Sequence, residues 1–344
     1  MTTRSIAVNG RFRHLEPGGY RRYASEVSER LTNATVVQPS PRNARGVRGR
    51  TWEQSILARR TSDQVLLSPA GSGPLRHPRQ VVVVHDMLPL EHPEWFSARA
   101  ARAQRQLLPS LLPRARRVVV PSADVAARVA HWFPRVAHKT TIVAPAVGSP
   151  FDRQPEPARL TALADRLGLA PDQPLVGGLV ASSTRKNSEL LVRVLAEVQR
   201  RTGAVVAVAG HTDAPRVVAG NTRPHHDRVI DLGALDDQDL AAFYALMTVF
   251  VSLSLGEGYG MPIAEAAACG AAIVTSPVPV AAELLDGHAV VVDATDAPAA
   301  VDAIEQALRD RSATTTIARQ TTARRWTWPQ ASGRINRVLE ELSI

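Results

Sequence analysis

Residues 248–275 read TVFVSLSLGEGYGMPIAEAAACGAAIVT. TVFVSL (248–253) is short, apolar and β-branched, the character of a buried strand. AAIVT (271–275) has the same character. Between them lie a glycine-rich loop and an alanine-rich run that reads as a helix. Strand, loop, helix and strand in this order build a parallel sheet. Pro262 suits the first turn of the helix, and Gly258 and Gly260 free the backbone for tight turns. The amides near Tyr259, Gly260 and Met261 would then be unpaired helix-start donors, an end that binds anions and phosphate above all. Two carboxylates interrupt this small, apolar run. Glu257 stands among the glycines, placed to hold hydroxyls near a phosphate. Glu265 lies one turn into the helix, and a carboxylate that accepts two hydrogen bonds suits a vicinal diol such as a ribose. A glutamate in the first turn could also merely complement the helix dipole. The two glutamates, the glycines, the proline and the following strand together favour a site.

The same alternation runs through the chain. Strand-like runs precede the quoted stretch at 5–8, 35–38, 65–68, 81–84, 117–120, 140–143, 175–180, 204–209 and 228–231, and one follows at 289–292. Amphipathic stretches lie between them at 97–112, 187–201 and 236–247. Continuous apolar strands alternating with helices predict parallel sheets covered on both faces. Two such sets in sequence predict an α/β protein of two doubly wound domains. The seam is APAVGSPFDRQPEPA (144–158), whose four prolines are linker chemistry. The expected domains are therefore residues 1–150 and 151–328, followed by an amphipathic helix at 329–344 that is expected to cross back to the first domain. The turn-rich, basic segment PSPRNARGVRGR (39–50) reads as a mobile surface loop.

The chain has 344 residues, 44% of them hydrophobic, enough for two cores. No apolar run approaches the length of a membrane span. The N-terminus lacks the apolar core of a secretory signal, and the one cysteine, Cys269, excludes a disulfide framework and a cysteine-built metal site. The expectation is a cytoplasmic protein. Charge is unevenly spread. Residues 1–150 hold 23 Lys+Arg and 9 Asp+Glu, giving +14, and residues 151–344 hold 18 and 23, giving −5. The basic half suits an anionic surface or an acidic substrate. Aromatics are only 4% and do not interleave with the arginines, which argues against a nucleic-acid partner.

The stretch EGYGMPIAEAAACG (257–270) resembles the Glu-x7-Glu signature of family-4 glycosyltransferases, which share the GT-B fold of two Rossmann-like domains facing across a cleft. STRKN (183–187), after the strand LVGGLV, resembles that family's R-K-N motif. PVPVAAELLDGHAVVVDATD (277–296) looks like its closing loop, helix and strand. The resemblance covers most of residues 175–310. It implies that Arg185 and Lys186 neutralise a donor diphosphate and that Glu265 holds the ribose. It further implies that Glu257, with Gly258, Tyr259, Gly260 and Met261, holds the transferred sugar and distal phosphate. Positive charge at a helix start opposes the dipole, which favours a ligand role for Arg185 and Lys186 over a solvated surface.

The first half matches more loosely. VVVVHDMLPLEHPEWFS (81–97) resembles a bacterial subset of these enzymes, many of them mannosyl- or rhamnosyltransferases of polysaccharide assembly. By that resemblance His85 contacts the donor sugar, while His92 reads as a packing or loop residue. GGYRRYA (18–24) resembles the family's glycine loop, in which Gly18 and Gly19 let the backbone approach the donor. WEQ (52–54) also recurs in that subset, and a helix cap packed by an indole explains it equally well. Gly256 departs from the larger residue often found before the first motif glutamate, which bears on the shape of the sugar pocket.

The resemblance implies a retaining transferase acting by front-face substitution. Its donor is a nucleotide-diphosphate sugar, a GDP-sugar favoured, and its acceptor a glycan or polyprenyl-diphosphate-linked glycan. The +14 half adds peripheral attachment to an anionic membrane face, at about 1 kcal/mol per well-placed cation. No Asp-x-Asp follows a suitable strand, so neither metal nor cofactor is expected. The alternatives are a GT-B nucleotide-sugar 2-epimerase, whose own carboxylates belong in the first domain, and a non-catalytic nucleotide-sugar-binding protein.

Overall fold

The computed structural model describes residues 4–15, 18–211, 229–310 and 312–343. Two compact units account for the chain. Met1–Ala146 and Trp326–Ile344 form the first, and Val147–Arg325 the second.

In the first unit six strands form one parallel sheet: β1 (Ile6–Asn9), β2 (Ala34–Val37), β3 (Val65–Ser68), β4 (Gln80–Val83), β5 (Arg117–Val120) and β6 (Thr140–Ile142), in the order β2-β1-β3-β4-β5-β6. Val81, Val82 and Val83 are fully buried because helices cover both faces. On one face Val82, Val118 and Val120 pack with Leu108 and Leu111 of the helix Ala98–Leu111 and with Val125 and Val129 of the helix Ala123–Trp132. Further along the same face, Ala7 and Leu66 pack with Trp52 and Leu57. The terminal helix Trp328–Glu340 belongs to this unit. Thr327 and Gln330 form a reciprocal capping box at its start. Its buried residues Trp328, Ala331, Ile335 and Leu339 recur at helical spacing. Trp328 sets its ring edge-on to Tyr23, centroids 5.7 Å apart.

In the second unit the sheet holds β7 (Leu175–Ala181), β8 (Val205–His211), β9 (Val229–Asp231), β10 (Val249–Ser252), β11 (Ala272–Thr275) and β12 (Ala289–Val291), in the order β12-β11-β10-β7-β8-β9. Arg228, expected to open the ninth strand, lies outside the described residues. Leu191, Val194, Leu195 and Val198 of the helix Ser188–Thr202 pack on Val176, Val208 and Val251 together with Ile304. Phe243 and Tyr244 of the helix Asp237–Leu246 are also buried, and Tyr244 meets Phe250 edge-on.

Both orders contain a point at which the chain reverses its direction of travel across the sheet. In the first unit it lies between β1 and β3, in the second between β7 and β10. Open α/β sheets bind ligands beyond the carboxyl ends of the strands at this point.

One expectation is corrected. Residues 39–50 are not an unstructured loop. Pro41–Asn43 form a 3-10 turn and Gly46–Trp52 a helix. Within that helix Gly49 packs where no side chain fits: a Cβ there would stand 2.4 Å from the Ala44 carbonyl oxygen and 2.7 Å from Arg11 Nε.

The centre of the second sheet depends on a similar approach. A Cβ on Gly178 of β7 would lie 2.5 Å from the Val251 carbonyl oxygen and 2.9 Å from Leu191 Cδ2. Gly178→Ala should therefore lower stability by about 1–3 kcal/mol, read as a lower urea midpoint at unchanged m. An unchanged midpoint would contradict this packing.

Candidate functional site

At the reversal point of the second unit, two loops are tied together. After β7 the chain makes a 3-10 turn, Thr184–Lys186, and ends it with Asn187 in the left-handed region (φ 51°, ψ 38°). Asparagine is among the few non-glycine residues that visit this region readily. Its side-chain amide donates to the carbonyls of Leu253 (3.2 Å) and Ala294 (2.8 Å). The loop after β10 answers with Leu255 N–H donating to the Arg185 carbonyl at 2.8 Å. These bonds fix Arg185, Lys186 and Glu257 beside one another.

Glu257 binds both cations. Arg185 Nη1 donates to its Oε2 at 2.5 Å and to the Gly256 carbonyl at 2.9 Å, and Lys186 Nζ donates to its Oε1 at 2.6 Å. The Glu257 side chain is only 11% exposed. Burial pushes its carboxyl up, but the charges and hydrogen bonds of Lys186 and Arg185 outweigh burial and hold it at about 2. The cluster carries two positive charges against one negative. Among the described residues Arg185 bonds through Nη1 alone, and Lys186 through one of its three protons. Donors and a net positive charge thus remain for an anion.

The helix Met261–Cys269 starts from the same loop. Its N-cap, Gly260, has φ 104° and provides no side-chain cap, and no acidic residue lies in the first turn. A Cβ on Gly260 would also stand 2.7 Å from Val280 Cγ1, so glycine is needed for space as well as for its dihedral. Tyr259 and Met261 are buried, and among the described residues the buried Tyr259 hydroxyl has no hydrogen-bond partner. Glu265 is buried in the helix, 3% exposed. Its charge reaches Cys269 one turn on: burial, then the Glu265 carboxylate, pushes that thiol up to about 12, leaving it unreactive.

The residues expected in the first unit lie at the carboxyl edge of its sheet. His85 follows β4 and is 7% exposed. Its Nε2 lies 2.8 Å from the Pro69 carbonyl oxygen, a bond only an Nε2–H can make. Burial pushes its pKa down to about 4, with the Pro69 bond opposing. The ring is therefore neutral at pH 7, leaving Nδ1 as an acceptor. Tyr20 stacks on it at 4.4 Å and Tyr23 meets it edge-on at 5.2 Å. Tyr20 also donates its hydroxyl to Asp86 Oδ2. Gly18 caps the helix Gly19–Ser28 with φ 157° and ψ 179°, and a Cβ there would meet nothing within 4 Å. His92 stacks on Trp95 at 3.9 Å and contacts Glu94, a loop arrangement as expected.

WEQ is more than a packed cap. Glu53, 1% exposed, accepts from Asn9 Nδ2 (2.9 Å), Arg11 Nη1 (2.9 Å) and Ser72 Oγ (2.8 Å). Gln54 holds the same loop, donating to the Gly73 carbonyl and accepting from Leu75 N–H. Asn9 ends β1, Arg11 follows it and Ser72 follows β3, so this network spans the first unit's own reversal point. Sequence reading passed over Arg11 and Asn9. The available signal was their place, directly after an apolar strand.

Glu257 gives a pH signature. A carboxyl held at about 2, against its usual 4.5, stabilises the fold above the unfolded pKa and loses that contribution as pH falls through the folded one. Between about pH 5 and pH 2 the wild type should lose on the order of 3 kcal/mol that Glu257→Gln does not. Urea titrations across that range check this, and parallel pH curves would contradict the buried ion triad.

The glycosyl transferases group 1 family matches residues 174–310. The serotype-specific mannosyltransferase WbdA of Escherichia coli is 27% identical over 245 residues, covering 68% of this chain and 30% of its own length. The chain thus spans under a third of that relative. The O-antigen chain mannosyltransferase B of Escherichia coli is 40% identical over 81 residues, 24% of this chain and 21% of that protein. Among solved structures, Anabaena HepE in complex with UDP and glucose superposes with a TM-score of 0.75 at 18% identity, covering 99% of this chain and 100% of its own. The lipopolysaccharide glycosyltransferase WaaG gives a TM-score of 0.73 at 14% identity over 97% and 99%. The chain has the GT-B fold, and its residues 174–310 are a glycosyl transferases group 1 domain.

Proposed function

We propose that this chain is a retaining, metal-independent glycosyltransferase. It moves a hexose or deoxyhexose, mannose or rhamnose favoured, from a nucleotide-diphosphate sugar to a glycan or a polyprenyl-diphosphate-linked acceptor. One observation carries the reading: Arg185, Lys186 and Glu257 meet at the reversal point of a group 1 domain, beside a helix start without side-chain cap. A departing diphosphate gains charge in the transition state, and fixed cations and amides aimed at it lower the barrier.

The proposed step is a front-face substitution. The bond from the sugar's anomeric carbon to the β-phosphate oxygen breaks, and the acceptor oxygen bonds to that carbon on the same face. The acceptor's proton passes to the departing phosphate oxygen. Arg185, Lys186 and the helix start receive the negative charge. Glu257 keeps both cations in place and meets the sugar hydroxyls, with the Gly258–Met261 backbone beside it. Glu265 is assigned to the ribose. His85, neutral with Nδ1 as acceptor, is assigned to a hydroxyl of the sugar, and Gly18 and Gly19 to a close backbone approach. The likeness to the mannosyltransferases WbdA and mannosyltransferase B favours mannose, and with it GDP as the nucleotide. HepE, whose structures hold UDP or UDP-glucose, makes UDP the nucleotide to test against it. No described helix is long and apolar enough to cross a membrane, and attachment to an anionic membrane face through the basic half remains part of the proposal.

A thermal-shift panel of GDP-, dTDP- and UDP-sugars tests the reading. The correct donor at a hundred times its Kd should add about 2.7 kcal/mol of stability. Glu265→Ala should lose most of that gain. Absence of stabilisation by any of the three classes, together with no sugar transfer from any of them, would refute the proposal.

A further inference from the structure

The first unit contains a second positively charged site that the donor chemistry does not use. The helices Gly46–Trp52 and Ala98–Leu111 line a groove of about 400 Å³, within the roughly 300–1,000 Å³ range of ligand pockets. Arg50 comes from one wall and Arg99 and Arg102 from the other, with Gln106 a turn further along the same helical face. Arg11 completes the lining, and among the described residues no carboxylate lines the groove.

The four guanidinium groups differ in how they are held. Arg11 is fixed: Nε donates to the Ala44 carbonyl at 2.9 Å, and Nη1 to Glu53 at 2.9 Å and to Ser72 at 3.2 Å. Those three bonds do not use Nη2. Arg50, Arg99 and Arg102 are exposed and have no ion-pair partner among the described residues. Arg99 reaches across the groove, its Nη2 lying 3.5 Å from the position of a Cβ on Gly46.

The arrangement opposes the stability of the free protein. Arg99 and Arg102 stand in the first turns of the helix that Ser97 caps, where the dipole disfavours cations. They are also like charges at i, i+3. Arg50 brings a third positive charge to the same space. A bound anion removes all three penalties, and guanidinium groups converging from different elements match the geometry of a phosphate. Arg11, held at the reversal point of its sheet, puts the inner end of the groove where such sheets take ligands.

We propose that this groove binds a phosphate-bearing group, a mono- or diphosphate, separate from the nucleotide site of the second unit. Under the transferase reading that group belongs to the acceptor; this assignment rests on that reading, whereas the anion site stands without it. The phosphate can be carried by a soluble molecule or by a lipid headgroup.

The test uses the full chain. Inorganic pyrophosphate is titrated calorimetrically into Arg185→Gln, which leaves the second unit's cluster with one cation against Glu257, and into the same chain with Arg99→Gln and Arg102→Gln added. The expected result is saturable binding that weakens roughly tenfold for each arginine removed, the effect of one charge-assisted hydrogen bond. A chain with Arg50→Gln alone in the Arg185→Gln background should lie between the two. Co-sedimentation with phosphatidylcholine vesicles, with and without phosphatidic acid, separates the sources. Retention on phosphatidic acid that pyrophosphate reverses identifies a lipid-borne phosphate, and pyrophosphate binding without retention identifies a soluble one. Equal pyrophosphate affinity with and without the groove arginines, or no binding in the Arg185→Gln chain, overturns the proposal. Stabilisation of Arg99→Gln/Arg102→Gln by nucleotide sugar is read in parallel. Its retention while pyrophosphate binding is lost separates this site from the donor site, and its absence from the wild type as well would fail the donor reading alone.

Discussion

The carboxylate of Glu257 joins the two loops that meet at the reversal point of the second sheet. A buried cation pair without it would be an uncompensated double charge, and a buried glutamate without the pair would be driven toward its neutral form. With all three present, the carboxyl is held at about 2 and the cluster retains one net positive charge. Asn187 and the Leu255 amide hold the backbone so that this geometry exists before any ligand arrives. Preorganisation of this kind is what charge stabilisation in a transition state requires, because no reorganisation is then needed at the moment of reaction.

The first unit repeats the device in another form. Arg11 and Glu53 pair beside the carboxyl ends of β1 and β3, and Asn9 and Ser72 complete the network. There too an acid fixes a cation at the point where neighbouring loops diverge. The difference lies around it: the second unit offers a helix start and one local net charge, the first a groove walled by three further arginines. The +14 of residues 1–150 is therefore in part locally organised and not merely a solvated surface.

The central strands were legible because a buried parallel strand is apolar along its length, and the more exposed edge strands because they are β-branched; among the described residues each such run, from SIAV to AVVV, became a strand within a residue or two. The helix after Gly260 was legible from Pro262 and the alanines. The pairing of Glu257 with Arg185 and Lys186 was not. Those residues stand 72 and 71 positions apart, and only the sheet order brings them together. Glu53 escaped for the same reason, since Arg11 lies 42 positions away. The helix at Gly46–Trp52 was misread because its glycines and arginines carry a loop's composition, while the close packing of Gly49 against Ala44 and Arg11 is tertiary.

We propose that Arg185 and Lys186 are poised for the second phosphate of a donor. The direct measurement is the affinity of the nucleoside diphosphate relative to the matching monophosphate, in the wild type and in Lys186→Ala. If the account holds, the wild type prefers the diphosphate, and Lys186→Ala loses roughly tenfold of that preference while binding the monophosphate nearly as before. An unchanged diphosphate-to-monophosphate ratio in Lys186→Ala would contradict it.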